Sequence, residues 1–282
     1  MCIRDSIFID SEEDTWNMSP GYLEEAIKDR VSRGKKPKAI IVVHLYGMPA
    51  KMDELIRISR EYNIPIIEDA AEAFGSKYKG EYCGTFGAYG IFSFNGNKII
   101  TTSGGGALVC KNIIQKEKAT FYSSQSRDQL PHYQHSSIGY NYRMSNILAG
   151  IGRGQIQSLS KYIQARRVNN EFYQKLFQST GVEVFAEYNK DFSSNYWLTC
   201  ILVNEERNGF TRNDLRAALE KENIESRILW NPMHLQPIFK DCSYYGSDIA
   251  EKLFSIGLCL PSSSILSNLD KERISKVIRR FL

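Results

Sequence analysis

Three residues among the 282 of this chain could do chemistry by their type and position. Lys98 closes the run Ser93-Phe-Asn-Gly-Asn-Lys98, just past an apolar stretch of strand length and just before the turn Thr101-Thr-Ser-Gly-Gly-Gly106. Asp69 follows the apolar run Ile64-Pro-Ile-Ile-Glu68. Ser93 stands five residues ahead of Lys98. A lysine that forms a Schiff base must give up its proton, so it needs a site that lowers the pKa of its amine. A carboxylate facing a pyridine nitrogen keeps that nitrogen protonated, and a protonated ring acts as an electron sink. A serine hydroxyl at the same strand end could donate to a phosphate oxygen. Each residue also has a plainer reading. A lone lysine is usually a solvated surface charge, and Asp69 alone reads as a helix cap or turn aspartate. The glycines around Lys98 shift the balance, because they allow positive φ and close approach of backbone to a ligand.

The elements that must position these residues alternate along the chain. Ile7 to Asp10 reads as a short strand. Ser19-Pro20 opens a helix with a cap and a proline at its first position, and Gly34 stops it. Residues 39–44, Ala-Ile-Ile-Val-Val-His, form a continuous apolar strand of the kind buried on both faces of a parallel sheet. A helix over 52–62 and a strand at 64–68 follow. This β-α-β-α-β rhythm predicts an α/β layer with a mainly parallel sheet, and ligands bind at the carboxyl ends of such strands. Further strands are expected at 89–94 and 107–110, and one long helical pattern from Ser145 to about Gln178. Beyond it come a strand at 196–203, a helix at 211–222, a strand at 224–229 and helices at 247–256 and 269–281. The expected division is a large α/β domain over 7–160 and a smaller α+β domain over 161–282.

Bulk composition narrows the class. At 42% hydrophobic and 24% charged, with a formal charge of +4, the chain reads as globular and lacks a basic stripe for nucleic acid. The basic turn Lys35-Lys-Pro-Lys38 reads as a solvated connection. Six cysteines are scattered, without the spacing of a metal site, and read as reduced thiols in a cytoplasmic protein. No apolar run reaches membrane-spanning length, and residues 1–6 are not a signal peptide.

Four motifs carry a resemblance. They are His44-Leu-Tyr-Gly47, Ile66-Ile-Glu-Asp-Ala-Ala-Glu-Ala73, Ser93 through Gly106, and Gly139-Tyr-Asn-Tyr-Arg-Met-Ser-Asn146. In order and spacing they resemble the DegT/DnrJ/EryC1/StrS family of nucleotide-sugar aminotransferases. Glu72, the Asn95-Gly-Asn-Lys98 form and His132-Tyr-Gln-His135 are most similar to UDP-4-amino-sugar transaminases of the bacillosamine pathway. The resemblance implies a type I aminotransferase fold, a three-layer α/β/α arrangement that binds pyridoxal 5'-phosphate, and a cytoplasmic homodimer with shared active sites. It makes Lys98 the Schiff-base lysine and proton shuttle, and Asp69 the partner of the pyridinium nitrogen. Ser93 binds the cofactor phosphate, Asn141 reaches the phosphate in the neighbouring subunit, and Glu72 lies beside the ring. Relatives that dehydrate sugars carry histidine at the lysine position, so Lys98 implies transamination. The implied substrates are L-glutamate and a UDP-linked 4-keto-6-deoxy sugar, for bacterial glycan or glycoprotein biosynthesis.

Arg227 and His234 are candidates for substrate binding, against a surface ion pair and a structural histidine respectively. Arg143 reads as a buttress for Asn141, and Trp197 and Trp230 as packing. The resemblance also implies chain ahead of Ile7, with a loop and helix terminus for the cofactor phosphate. Residues 1–6 do not match it, so the expectation is an N-terminally truncated chain with a foreign start. The competing readings are a dTDP- or GDP-sugar aminotransferase, one acting at a 3-keto carbon, or a truncated homologue without activity.

Overall fold

The computed structural model describes residues 6–282, so most of the expected foreign start lies outside the described residues. Ser19 caps the first helix, Pro20–Ser32, by accepting a hydrogen bond from Tyr22 N–H. The helix places Leu23 and Ile27 inward, and Met52–Glu61 does the same with Leu55 and Ile58. Both helices pack on one side of a four-stranded sheet, where Ile40, Val42, Ile64 and Ile66 complete the core. Each such side chain contributes about 1.5–3 kcal/mol by leaving water.

The strands run in the order Ile40–Val43, Ile66–Asp69, Tyr89–Ser93, Gly106–Cys110. The first three are parallel, and the last joins antiparallel. The mainly parallel sheet is therefore as expected. Burial on both faces is not. Ile40 and Val42 are buried, whereas Ile41 is 51% and Val43 37% exposed. The helices that follow the strands pack their apolar stripes on one face only, and among the described residues the other face stays open.

Two other expectations change in detail. The long helical pattern breaks into Asn146–Ile156 and Leu159–Leu176. The first piece buries no side chain, while the second buries Arg166, Asn169, Asn170 and Tyr173, so the two pieces serve different surroundings. The strand expected over 224–229 shortens to Arg227–Ile228, edge partner of Gly257–Leu260.

That strand belongs to a second sheet, antiparallel throughout, in the order Arg227–Ile228, Gly257–Leu260, Thr199–Leu202, Glu183–Val184. A separate core of Tyr173, Ile201, Leu215, Leu219, Leu258 and Ile278 lies against it. The first core nonetheless draws on both halves of the chain, since Phe185, Trp197, Cys200 and Cys259 pack with Trp16 and Leu23. Backbone pairing crosses the halves as well. Ile7–Ile9 pairs with Ser243–Tyr245, and Lys77–Tyr78 pairs with Phe192–Ser193. Among the described residues no helix is long and apolar enough to cross a membrane.

Candidate active site

Successive residues of a strand point to opposite faces, and Glu68 and Asp69 use this to different ends. Glu68 turns inward and is fully buried. Its carboxylate accepts the amides of Gly84, Phe86 and Gly87, each at 2.6 Å, and faces His44 Nε2 at 3.0 Å. His44 Nδ1 accepts the Ala50 N–H at 3.0 Å. With Nδ1 accepting that amide, the ring donates from Nε2 to Glu68. Asp69 turns to the open face, level with Val43 and Ile91. Among the described residues its carboxylate accepts one hydrogen bond, from Ala71 N–H at 3.2 Å. Ser93 lies two residues past Ile91 on the same strand, hence on the same face as Asp69. The expected pair therefore meets on one side of the sheet.

Lys98 follows in a turn whose Lys98 N–H bonds Asn95 O at 3.0 Å. Its Nζ lies 3.9 Å from Glu72 Oε1 and 4.3 Å above the ring of Trp197. The side chain is only 13% exposed, so this is no solvated surface lysine. Glu72 is buried, and its other oxygen accepts the Tyr46 N–H at 2.7 Å. Tyr46 holds a left-handed backbone conformation, φ 55° and ψ 15°, uncommon for a bulky residue. That conformation aims the amide at Glu72, while the Tyr46 hydroxyl accepts the Trp230 amide at 3.0 Å.

Burial pushes the Glu72 carboxyl up from 4.5 to about 7. Lys98 and the Tyr46 amide pull it back, and Asp69 adds to the rise. Near neutral pH Glu72 therefore exchanges a proton readily. The same shift sets a stability profile. A carboxyl raised in the folded state stabilises below about 4.5, and that stabilisation is lost as pH climbs through about 7. Replacing Glu72 by glutamine keeps an acceptor for Tyr46 and removes the charge. The expected result is a variant more stable than the parent at pH 8 by on the order of 2 kcal/mol, a gap that closes at pH 4. Urea unfolding at both values checks it, and a gap independent of pH contradicts it.

Residues far along the chain complete the site. Asn195 Nδ2 donates to the carbonyls of Glu72 and Phe74 at 2.8 and 3.1 Å, and its Oδ1 accepts the Trp197 amide at 2.8 Å. Trp197 Nε1 in turn donates to Asn97 O at 2.9 Å. Asn195 thus ties the Glu72 segment to the indole on which Lys98 rests. Gly47 is required for this packing. Its φ is +92°, and a Cβ there would fall 2.0 Å from Asn195 Oδ1.

Lys98, Asn97, Trp197, Trp230, Arg166 and Arg227 are among the residues lining a cleft of about 680 Å³. Trp197 and Trp230 were read as packing, and Tyr46, Asn195 and Arg166 were missed. The polar run Ser193-Ser-Asn-Tyr-Trp197 ahead of a strand was the available signal for Asn195 and Trp197.

Other candidates stand apart. Asn141 is exposed and bridges Ser124 in a loop. Arg227 lines the cleft but is paired with Glu225 at 2.5 Å, with most of its side chain exposed. His234 faces Glu251 at 3.1 Å, stacks on Tyr244 with ring centroids 3.9 Å apart, and is absent from the cleft wall. Arg143, beside Asn141, is exposed.

Comparison with known proteins agrees with this geometry. EpsN of Bacillus subtilis is 47% identical over 277 residues, covering 96% of this chain and 70% of the relative. GDP-perosamine synthase of Escherichia coli O157:H7 is 39% identical, covering 98% of this chain and 72% of its own. A crystal structure of a DegT DnrJ EryC1 StrS aminotransferase from Brucella abortus superposes with a TM-score of 0.89 at 30% identity, over 98% of this chain and 73% of that one. The model of the DegT/DnrJ/EryC1/StrS aminotransferase family matches residues 3–281. This chain therefore belongs to the DegT/DnrJ/EryC1/StrS aminotransferase family.

Proposed function

We propose that this chain binds pyridoxal 5'-phosphate at Lys98 and transfers an amino group from L-glutamate to the 4-keto carbon of a UDP-linked 4-keto-6-deoxy sugar. One observation carries the reading: Lys98 Nζ is withdrawn from solvent over Trp197 beside Glu72, while Asp69 and Ser93 share one face of the sheet. The donor set fits the cofactor. Asp69 has acceptor capacity left for a ring N–H, Ser93 offers a hydroxyl to a phosphate, and Lys98 offers an amine to an aldehyde. The bound cofactor supplies the electron sink that lets an amine-bearing carbon lose its proton.

The protein's own residues do the rest. Lys98 Nζ would hold the cofactor, and as a free amine would take the proton from one face of the substrate carbon and return it. Glu72, poised near neutrality, holds or accepts a proton beside that amine. Asp69 keeps the ring nitrogen charged. Trp197 shields the amine from water on one side.

The UDP preference rests on Glu72, the Asn95-Gly-Asn-Lys98 sequence and His132-Tyr-Gln-His135. A GDP-linked sugar is the second reading, favoured by the GDP-perosamine synthase of Escherichia coli O157:H7. The amino-sugar product would serve glycan synthesis. Association of two copies is part of the proposal. The loop that carries Asn141 and the first turn of the helix after it expose Tyr133, Ile138, Tyr142 and Ile147, each at 77% or more, an apolar surface that a second copy would cover.

The test has two steps. Pyridoxal phosphate added to the chain should give visible absorbance, and borohydride should fix it to the peptide carrying Lys98. The loaded chain should then convert one member of a panel of UDP-, GDP- and dTDP-ketosugars, with product NMR showing nitrogen on C4. Labelling elsewhere, or amination at C3, would overturn the reading.

A further inference from the structure

Two free thiols face each other across the second sheet. The strands Thr199–Leu202 and Gly257–Leu260 pair antiparallel, with Cys200 directly opposite Cys259. Residues opposed in this way turn their side chains to the same face of the sheet. Here the two sulfurs lie 3.8 Å apart. Cys200 is fully buried, and Cys259, 4% exposed, is among the residues lining the cleft that holds Lys98. Among the described residues, Cys83, Cys110 and Cys242 have no such thiol partner. Burial pushes the Cys200 thiol well above its ordinary 9. A buried thiol by itself is ordinarily inert. This pair differs because one sulfur reaches the cleft wall and a second stands directly behind it.

Both strands run straight into the wall of the lysine site. Trp197, three positions ahead of Cys200, carries the ring 4.3 Å from Lys98 Nζ. Ser262, three positions past Cys259, donates its hydroxyl to the Trp197 carbonyl at 3.1 Å. Arg166 Nη1 donates to the carbonyls of both residues and so ties the two strand ends together. A disulfide at this rung must close the sulfurs from 3.8 Å to about 2.05 Å, which draws the two strands toward each other. Tyr46 lies beside the same rung, since both thiols act on its hydroxyl, and its amide holds Glu72. Movement of the rung therefore reaches both neighbours of Lys98, the indole and the carboxyl.

We infer that Cys200 and Cys259 form a reversible disulfide with a hydroperoxide as oxidant, and that its closure loosens the cofactor site at Lys98. The second half rests on the transaminase reading above. The Cys259 sulfur attacks one peroxide oxygen and the O–O bond breaks. The departing hydroxide takes the thiol proton and leaves as water, with a sulfenic acid on Cys259. The Cys200 sulfur then attacks the Cys259 sulfur. An S–S bond forms, the S–O bond breaks, and the second hydroxide takes the Cys200 proton to leave as water. The two sulfurs together give up two electrons, and the two peroxide oxygens receive them. Dithiothreitol reverses the bond by thiol–disulfide exchange.

The test is thiol mapping on the whole chain. After millimolar hydrogen peroxide, denaturation and alkylation, mass spectrometry should find one peptide pair joined through Cys200 and Cys259. Dithiothreitol should return both to the alkylated form. Finding both thiols alkylated after peroxide overturns the inference, and that arm needs no variant. Cys200→Ala exchanges one small apolar side chain for another and removes the second thiol, so dimedone should label Cys259 in the treated variant far more than in the treated parent. Equal labelling of the two overturns the route through Cys259. In the parent, closure should weaken pyridoxal phosphate binding, titrated by visible absorbance, at least about threefold, with recovery in dithiothreitol. A disulfide with a smaller effect overturns the second half of the inference. If the untreated chain binds no pyridoxal phosphate, the transaminase reading fails and takes that half with it, while the mapped peptides still decide the disulfide.

Discussion

Lys98→Ala should lower transamination by at least about 10⁴-fold, the upper range for losing a positioned acid–base group, with covalent attachment lost as well. No other amine can substitute. The described residues place Lys98 Nζ, and no second lysine, on the cleft wall beside Glu72 and Trp197. Lys98→Arg should be as inactive, because a guanidinium keeps its charge and cannot act as the base. The two variants separate chemistry from folding. Arginine retains a cation next to Glu72 and over the indole, so its melting temperature should stay near the parent's, while its single-turnover rate falls with that of alanine. Cofactor should still bind both variants non-covalently, displaced by dilution and untouched by borohydride. A rate within about a hundredfold of the parent in either variant would remove Lys98 from the proton transfer.

Glu68→Ala carries the largest expected effect on stability, about 3–5 kcal/mol. The carboxylate is fully buried and holds three amides of the 84–87 turn together with the His44 ring. Alanine leaves those donors unpaired and opens a void. Glu68→Gln should cost less but remain harmful, since its NH₂ would meet amide donors rather than accept from them. Denaturant unfolding reads the loss as a shift in midpoint at constant slope. An effect under about 1 kcal/mol would mean the turn finds other partners.

Acidity gives a second handle on Glu68. Burial pushes this carboxyl up, but the His44 N–H and the Gly87 and Gly84 amides more than offset it, so it lies below its ordinary 4.5 in the folded chain. Its contribution is therefore present above that value and lost as pH falls through the depressed folded value. Glu72 behaves oppositely, losing its contribution as pH rises toward about 7. The contributions of these two neighbours, one on a strand and one in its following turn, therefore change with pH in opposite directions.

Much of the site was readable because its information is local. Asp69, Ser93 and Lys98 each follow an apolar run and stand at a recognisable distance from glycines. Alternation along a strand, once the register of Asp69 with Ile91 is known, puts Asp69 and Ser93 on one face. The helix caps were equally plain: Ser19 ahead of Pro20 marks a helix start with no tertiary input.

What escaped the sequence lies across long separations. The Trp197 ring sits 4.3 Å from Lys98 Nζ although the two are 99 positions apart, and Asn195 bonds a carbonyl 123 positions away. No spacing rule reaches that far, because such contacts depend on how two sheets pack. Strand composition likewise could not say that Ile41 and Val43 would remain open while Ile40 and Val42 are covered; the helices decide that by choosing a face. By itself, then, the sequence determined which residues could bind and move a proton, since chemical type and local turn geometry are written in order along the chain. Only the tertiary structure decided that Glu72 is dry enough to titrate near 7, that Lys98 rests on an indole, and that Arg166 reaches the carbonyls of Trp197 and Ser262. Those are properties of surroundings, and surroundings are assembled from residues that the sequence keeps far apart.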